Sequence, residues 1–286
     1  MNKKVYITLL STENYLKGVL VLNKSLKKTK ARYPLFVLVS PGISEKTVSI
    51  LSSFEIETIR MTESVALDYG QHNQSAAYSH WNNTFDKLYL FNLTQFEKLV
   101  YIDSDMLVLE NIDELFERDH MSAVSAGSKY PGNEAWIGNL NSGILVIRPD
   151  KKNYAELTAL IPVVAALNLK NISDQDVFKE YVKGRWTEDL WLDHKYNMFN
   201  VYLNWHIKNE NYKIKYFSLN PFRKNKTNVK IIHFIELPKP WMREIGRMEA
   251  FKMHSKTLIY ALMGREIGER IVKSIYISYL REFSKL

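Results

Sequence analysis

The chain has 286 residues, room for one large or two small domains, and is 46% hydrophobic, enough to bury a full core. It contains no cysteine, which excludes disulfides, thiolate metal ligands and a cysteine nucleophile. A formal charge of +8 favours anionic partners such as nucleotide sugars or anionic lipid, and the absence of a basic recognition motif argues against nucleic acid.

Taken in order, Lys4 to Leu10 reads as a first strand and Ser11 to Tyr15 as a loop. A helix is expected from about Glu13 to Lys28, with Leu16, Val19, Leu20, Leu22 and Leu26 at helical spacing. Leu35 to Val39 is a second buried strand, stopped by Pro41 and Gly42. Ser44 to Phe54 is a second helix and Glu55 to Met61 a third strand. This alternation predicts an α/β sheet of the nucleotide-binding kind, without the glycine fingerprint of dinucleotide folds. Met61 to Asn83 is polar and irregular, and Trp81 to Leu93 looks helical.

The stretch Leu99 to Phe116 comes next. Its apolar run Leu99–Ile102 predicts a buried strand, and Asp103 and Asp105 follow at the carboxyl end, where α/β sheets bind ligands. In extended chain the two carboxylates would point the same way. Paired oxygen ligands suit Mg²⁺ or Mn²⁺ with a substrate phosphate in the shell. A lone pair of this kind is also common in ordinary turns, so the spacing alone leaves both readings open.

Met121 to Ala126 is a further strand, and Ser128 to Asn139 a loop containing glycine and proline. Asn141, Ser142 and Gly143 precede another apolar strand, Ile144 to Ile147. Tyr154 to Leu169 is a helix, and Ser173 is a candidate N-cap for another. Residues 184–230 show little periodicity. Ile231 to Phe234 is a short strand, followed by Pro238, Lys239, Pro240 and Trp241. From about residue 251 the texture changes. Ile267, Ile271, Ile275, Tyr279 and Phe283 recur every four residues, and Lys252 to Leu286 carries seven Lys or Arg against three Glu. That is a basic amphipathic helix or pair, suited either to an anionic membrane surface or to packing on the domain or a second copy. No apolar run approaches the roughly 18 residues of a membrane span, and residues 1–10 lack a signal-peptide core, so a cytoplasmic protein is expected, with peripheral contact at the inner membrane through these helices.

These pieces together resemble the glycogenin-like retaining glycosyltransferases, the family that also holds galactinol synthases and bacterial lipopolysaccharide sugar transferases. The resemblance runs from residue 5 to about residue 241. It rests on ITLLSTENYLKGVLVLNKSL, the pair Lys87–Leu88, YIDSDMLVLENIDELF, NSGILVIRP, SDQDVF, KYN at 195–197 and HF…KPW at 233–241. It implies a GT-A fold, a Rossmann-like mixed sheet flanked by helices, over residues 1–250, with residues 251–286 as a C-terminal helical extension.

Carried onto this chain, the resemblance implies that Leu9, Ser11, Thr12 and Tyr15 hold the uridine and that Ser104 faces the ribose. Asp103, Asp105 and His233 would ligate the metal, and an imidazole beside two carboxylates suits Mn²⁺ better than Mg²⁺. Lys239 would neutralise a phosphate, Lys87 would support the sugar or diphosphate, and Asn141, Ser142, Asp174 and Gln175 would line the donor sugar. The implied activity is transfer of a hexose from a UDP-sugar to a glycan, glycolipid or polyol hydroxyl, with release of UDP and retention of configuration. Asp174 is either a nucleophile or a neighbour of a same-face transfer. Two other readings stand beside it: self-glucosylation on a tyrosine such as Tyr202, as in glycogenin itself, and a non-catalytic nucleotide-sugar-binding protein. The chain departs from the family at Glu236, where glycine is usual, at Thr12 for asparagine, and at Asn171 for an acidic residue.

Overall fold

The apolar runs pair into a seven-stranded mixed sheet. In the computed structural model, which describes residues 3–65, 79–126, 138–167, 172–214, 227–242, 247–262 and 268–283, β1 (Lys3–Leu10), β2 (Leu35–Val39), β3 (Glu57–Arg60) and β4 (Phe96–Ile102) run parallel. The short strand β5 (Met106–Val108) leaves the sheet after a turn. β6 (Ala123–Ser125) and β7 (Leu140–Ile147) continue the main sheet, β7 lying antiparallel to both β4 and β6. β8 (Trp191–Leu192) closes it, in the order β3-β2-β1-β4-β7-β6-β8. β9 (Met198–Phe199), the parallel pair β10 (Tyr212–Lys213) and β11 (Thr227–Asn228), and β12 (Ile231–His233) follow. β12 pairs antiparallel with β5 and parallel with β9 in a second sheet of three strands.

Helices α1 (Leu16–Lys28), α2 (Glu45–Ser53), α3 (Lys151–Ala165), α4 (Asp174–Tyr181), α5 (Leu203–Asn209), α6 (Arg247–Leu262) and α7 (Gly268–Leu280) complete the fold. The sequence signals explain their ends. Ser44 caps α2 by accepting from the Thr47 amide, and Ser173 with Asp176 forms a capping box on α4. The apolar residues of β1, β4 and β7 are buried on both faces, as a covered sheet requires.

The helical stretch expected from Trp81 to Leu93 is a 3₁₀ helix over Ser79–Asn92. Two expectations change. Asn141, Ser142 and Gly143 lie inside β7, because that strand starts at Leu140 to pair with β6. Asp103 and Asp105 are not in extended chain: the Met106 amide donates to the Asp103 carbonyl (3.2 Å), so the two flank a tight turn between β4 and β5. Of the two settings left open for the C-terminal apolar stripe, its described residues take the packed one. Ile271 and Phe283 are buried, and Ile275 and Tyr279 pack against the same core as α1 residues Val19 and Leu20. Ile267 and Asn171 fall outside the described residues, as do positions 66–78 of the polar stretch and 128–137 of the loop. No helix among the described residues is long and apolar enough to cross a membrane.

Helix α1 sits against the β4–β5 turn through a single glycine. A Cβ at Gly18 would lie 2.6 Å from the Ser104 carbonyl oxygen and 3.1 Å from the Trp241 ring. The helix can approach this closely only without a side chain there. Gly18→Ala is therefore expected to lower stability by about 1–3 kcal/mol, the usual cost of overpacking, measured by urea unfolding; an unchanged midpoint would show that the turn yields freely.

Candidate active site

The carboxyl end of β4 collects most of the residues singled out above. Asp103 leaves β4 with its amide donating to the Gly143 carbonyl (2.9 Å), which fixes it to β7. In the β5–β12 register His233 stands opposite Met106, so its imidazole falls beside Asp105. The Phe234 amide donates to the Asp105 carbonyl (3.0 Å), holding the two segments together. The result is a cluster in which one oxygen from Asp103, one from Asp105 and a ring nitrogen from His233 lie within 4.8 Å of one another. His233 Nε2 is 3.2 Å from Asp105 Oδ1 and 3.9 Å from Asp103 Oδ2. Two carboxylates and one imidazole, part-buried to buried, fit a divalent cation of intermediate hardness.

The other imidazole nitrogen fixes the ring. Nδ1 is 2.9 Å from Asn197 Oδ1, an acceptor, so Nδ1 donates there and Nε2 is the nitrogen turned toward the carboxylates. Asn197 is positioned by β9, which runs parallel to β12. Its amide nitrogen donates to Asn141 Oδ1 (2.6 Å). Asn141 Nδ2 donates in turn to Gln175 Oε1 (3.2 Å), which also accepts from the Ser142 amide (3.4 Å). Gly143 is the neighbour that makes room: a Cβ there would lie 3.0 Å from the His233 ring and 2.7 Å from the Met106 methyl.

A second group surrounds Lys87, which is buried. Its ammonium lies 2.8 Å from Asp174 and 3.2 Å from Asp103, and it donates to Ser142 Oγ and carbonyl (both 3.3 Å). Burial would pull Lys87 down, but the two carboxylates outweigh it and hold the ammonium above the ordinary lysine range. Burial and the neighbouring Asp105 raise Asp103, although Lys87 opposes them. Burial also acts to raise Asp105, yet His233 and Lys239 outweigh it and hold that carboxyl below the usual range. Lys239 Nζ is 2.8 Å from Asp105 and donates to the Phe234 carbonyl (2.6 Å). The Tyr101 hydroxyl donates to Asp103 (2.5 Å).

The residues expected around the base lie on the other side of the turn. Leu9 is buried at the end of β1, while Ser11, Thr12 and Tyr15 are half-buried at the start of α1. Burial and the charges of Asp105 and Asp103 raise the Tyr15 phenol. The Tyr15 ring meets Trp241 edge-on, centroids 5.3 Å apart, and the Trp241 indole donates to the Asn14 carbonyl (2.7 Å). Ser104, in the turn itself, is buried.

Sequence reasoning missed Tyr101, Asn197, Gly18 and Gly143 as residues that shape the site. The motif KYN contains Asn197, but its partner is 36 positions away and only the β9–β12 register brings the two together.

A mixed sheet with an acidic pair, a histidine and a buried lysine–carboxylate pair at one strand end defines a class: the GT-A glycosyltransferases. The profile described as Glycosyl transferase family 8 matches residues 6–244, and the chain belongs to that family. Over 245 residues it is 31% identical to glycogenin-1 of Mus musculus, covering 84% of this chain and 66% of that protein. The human glycogenin-1 is 29% identical, with 84% and 63% covered. The chain thus spans just under two thirds of the length of these relatives. Among solved structures it is similar in fold to the galactosyltransferase LgtC in complex with donor and acceptor sugar analogues, with a TM-score of 0.58, 17% identity, and 84% of this chain and 90% of that one covered.

Removing the Nδ1 partner of His233 tests the orienting role. Asn197→Ala is expected to weaken divalent-cation binding about 10- to 100-fold, the usual effect of losing such a support, by calorimetric titration with Mn²⁺. Unchanged affinity would mean that the imidazole needs no second support.

Proposed function

We propose that this chain transfers a hexose from a UDP-sugar to a separate hydroxyl acceptor (a glycan, glycolipid or polyol) with release of UDP and retention of configuration. The observation that carries the reading is the Asp103–Asp105–His233 cluster beside the Lys87–Asp174 pair in a family 8 glycosyltransferase. Asp103, Asp105 and His233 would hold the cation, with Mn²⁺ favoured over Mg²⁺ by the imidazole donor. A cation there would supply Lewis-acid stabilisation of the diphosphate charge.

In this reading Leu9, Ser11, Thr12 and Tyr15 seat the uridine, and Ser104 meets the ribose. Lys239 places an ammonium beside the diphosphate. Asn141, Ser142 and Gln175 orient the sugar, and Lys87 adds charge opposite the breaking bond. The bond from the anomeric carbon to the diphosphate oxygen breaks, the acceptor oxygen bonds to that carbon, and the acceptor proton passes to the departing phosphate. Asp174 is engaged by Lys87 at 2.8 Å. A carboxylate so neutralised is a poor nucleophile, which favours the same-face route over a covalent intermediate.

We propose residues 1–250 as the catalytic unit and 251–286 as its extension; the family match ending at residue 244 supports this division. The extension supplies a candidate membrane contact, on α6 rather than α7. Phe251 and Ile259 of the extension are 66% and 53% exposed, and Met248, just before it on the same helix, is 67% exposed. They share one helical face with the exposed Lys252 and Lys256. In this reading the enzyme works in the cytoplasm at the inner membrane surface, and the competing occupant of this face is a second copy.

UDP release with Mn²⁺ should occur for one of UDP-glucose, UDP-galactose or UDP-N-acetylglucosamine, and be lost with chelator and in Asp105→Ala. Release that persists in that variant would overturn the reading. Intact mass after incubation with donor should show no added hexose; a gain would turn the reading to self-glucosylation. Asp174→Asn should leave no trapped covalent sugar and lower kcat by about 10²-fold or more through loss of the Lys87 partner. For the extension, cosedimentation with vesicles containing anionic lipid should fall in Phe251→Ser; equal binding would dismiss the membrane contact.

A further inference from the structure

The loop from Phe234 to Lys239 is tied to Asp105 at both ends. The Phe234 amide donates to the Asp105 carbonyl, and the Lys239 ammonium reaches the Asp105 carboxylate at 2.8 Å. Glu236 sits midway along this arc, three residues from His233 and three from Lys239. A carboxylate placed there acts against any anionic ligand drawn to the cation cluster, and because Glu236 is about half exposed this repulsion is modest and salt-dependent.

Two side chains engage this carboxylate. Asn200, 1% exposed, donates its amide to Glu236 Oε2 (3.1 Å). It is held at the end of β9, whose Phe199 ring packs edge-on against His233, centroids 5.5 Å apart. The Lys273 ammonium approaches the same oxygen at 3.7 Å. Lys273 belongs to α7, beyond the family match that ends at residue 244. It is itself steadied by Glu269 one turn earlier (2.6 Å). Helix α7 is fixed on the domain: Tyr276, fully buried, stacks on Trp241 (5.8 Å) and meets Phe234 edge-on (4.9 Å). The backbone at both ends of the Glu236 loop is thus braced by the helix that also supplies its counter-charge.

From this geometry we infer that Lys273 is a positioning residue: with Asn200 it draws the Glu236 carboxylate away from the phosphate-binding side of the loop, and so tunes affinity for the nucleoside diphosphate. The inference rests on the nucleotide-site reading above. It makes α7 part of donor binding rather than an appendage.

The test is UDP affinity by calorimetry in the presence of Mn²⁺, for the full chain. Lys273→Ala should bind UDP about three- to fivefold more weakly, the range for a half-exposed pair, with the loss shrinking at high salt. Glu236→Gln keeps the contact with Asn200 and should stay within about twofold of wild type. The double variant Glu236→Gln/Lys273→Ala, which has the wild-type net charge, should recover wild-type affinity, and Lys273→Arg should retain it. Such non-additivity marks a direct coupling. Wild-type affinity in Lys273→Ala would overturn the inference. So would a double variant as weak as the single, which marks a structural loss, or a strengthening in Glu236→Gln equal to the loss in Lys273→Ala, which marks simple long-range charge. Wild-type protein that binds no UDP overturns the nucleotide site and this inference with it, a result distinct from the others.

Discussion

The structure depends on a balance of buried charge at the end of β4. Asp103, Asp105 and Asp174 bring three carboxylates into one small volume, and Lys87 and Lys239 bring two ammonium groups. Ionised groups taken out of water are costly, and removing one member of such a pair commonly costs about 3–5 kcal/mol because its partner stays buried. The cluster is therefore tolerable only as a whole. The three carboxylates and two ammonium groups sum to one surplus negative charge beside the His233 imidazole, a setting that suits a cation. The neighbouring Asp103 and Asp105 are pushed apart in acidity, Asp103 raised and Asp105 lowered, by burial and by what surrounds each.

The sheet exists in the form that assembles these charges. β4 delivers Asp103, and the turn after it delivers Asp105. The 3₁₀ segment preceding β4 contributes Lys87, and the capped start of α4 contributes Asp174, whose amide donates to Thr84 in that same segment. His233 arrives late in the chain, just before Lys239, through a three-stranded sheet in which β12 registers on both β5 and β9. Large apolar clusters surround β1, β4 and β7, and they supply the favourable burial that offsets a polar end.

Much of this was legible in order along the chain. The strands β1, β2 and β4 and the helix α1 follow from apolar runs and their breaks, and the resemblance placed Asp103, Asp105, His233, Lys87 and Asp174 in one site, where the structure brings them together. What stayed hidden depends on contacts between distant segments. A turn and an extended strand both present residues two apart, so the backbone at Asp103–Asp105 could not be told from spacing. Gly18 and Gly143 matter through the Ser104 carbonyl and the His233 ring, neither of which is near them in sequence. The C-terminal periodicity was read correctly as an amphipathic face, but its apolar side faces the domain in α7. A stripe of that kind looks the same whether it meets lipid or protein.

The amide chain from His233 to Gln175 shows why the site behaves as a unit. Each link has one permitted orientation. Nδ1 of His233 donates to Asn197 Oδ1, which obliges the Asn197 amide nitrogen to face Asn141 Oδ1. That oxygen already accepts from the Gly143 amide (2.9 Å), so the Asn141 nitrogen must turn to Gln175. Flipping any member would set two donors or two acceptors face to face in a part-buried setting, where an unmet polar group is expensive. The nitrogen that faces the cation cluster and the side chains assigned to the sugar are consequently oriented by the same sequence of hydrogen bonds. A turn of the imidazole at one end or of the Gln175 amide at the other is therefore carried along one network.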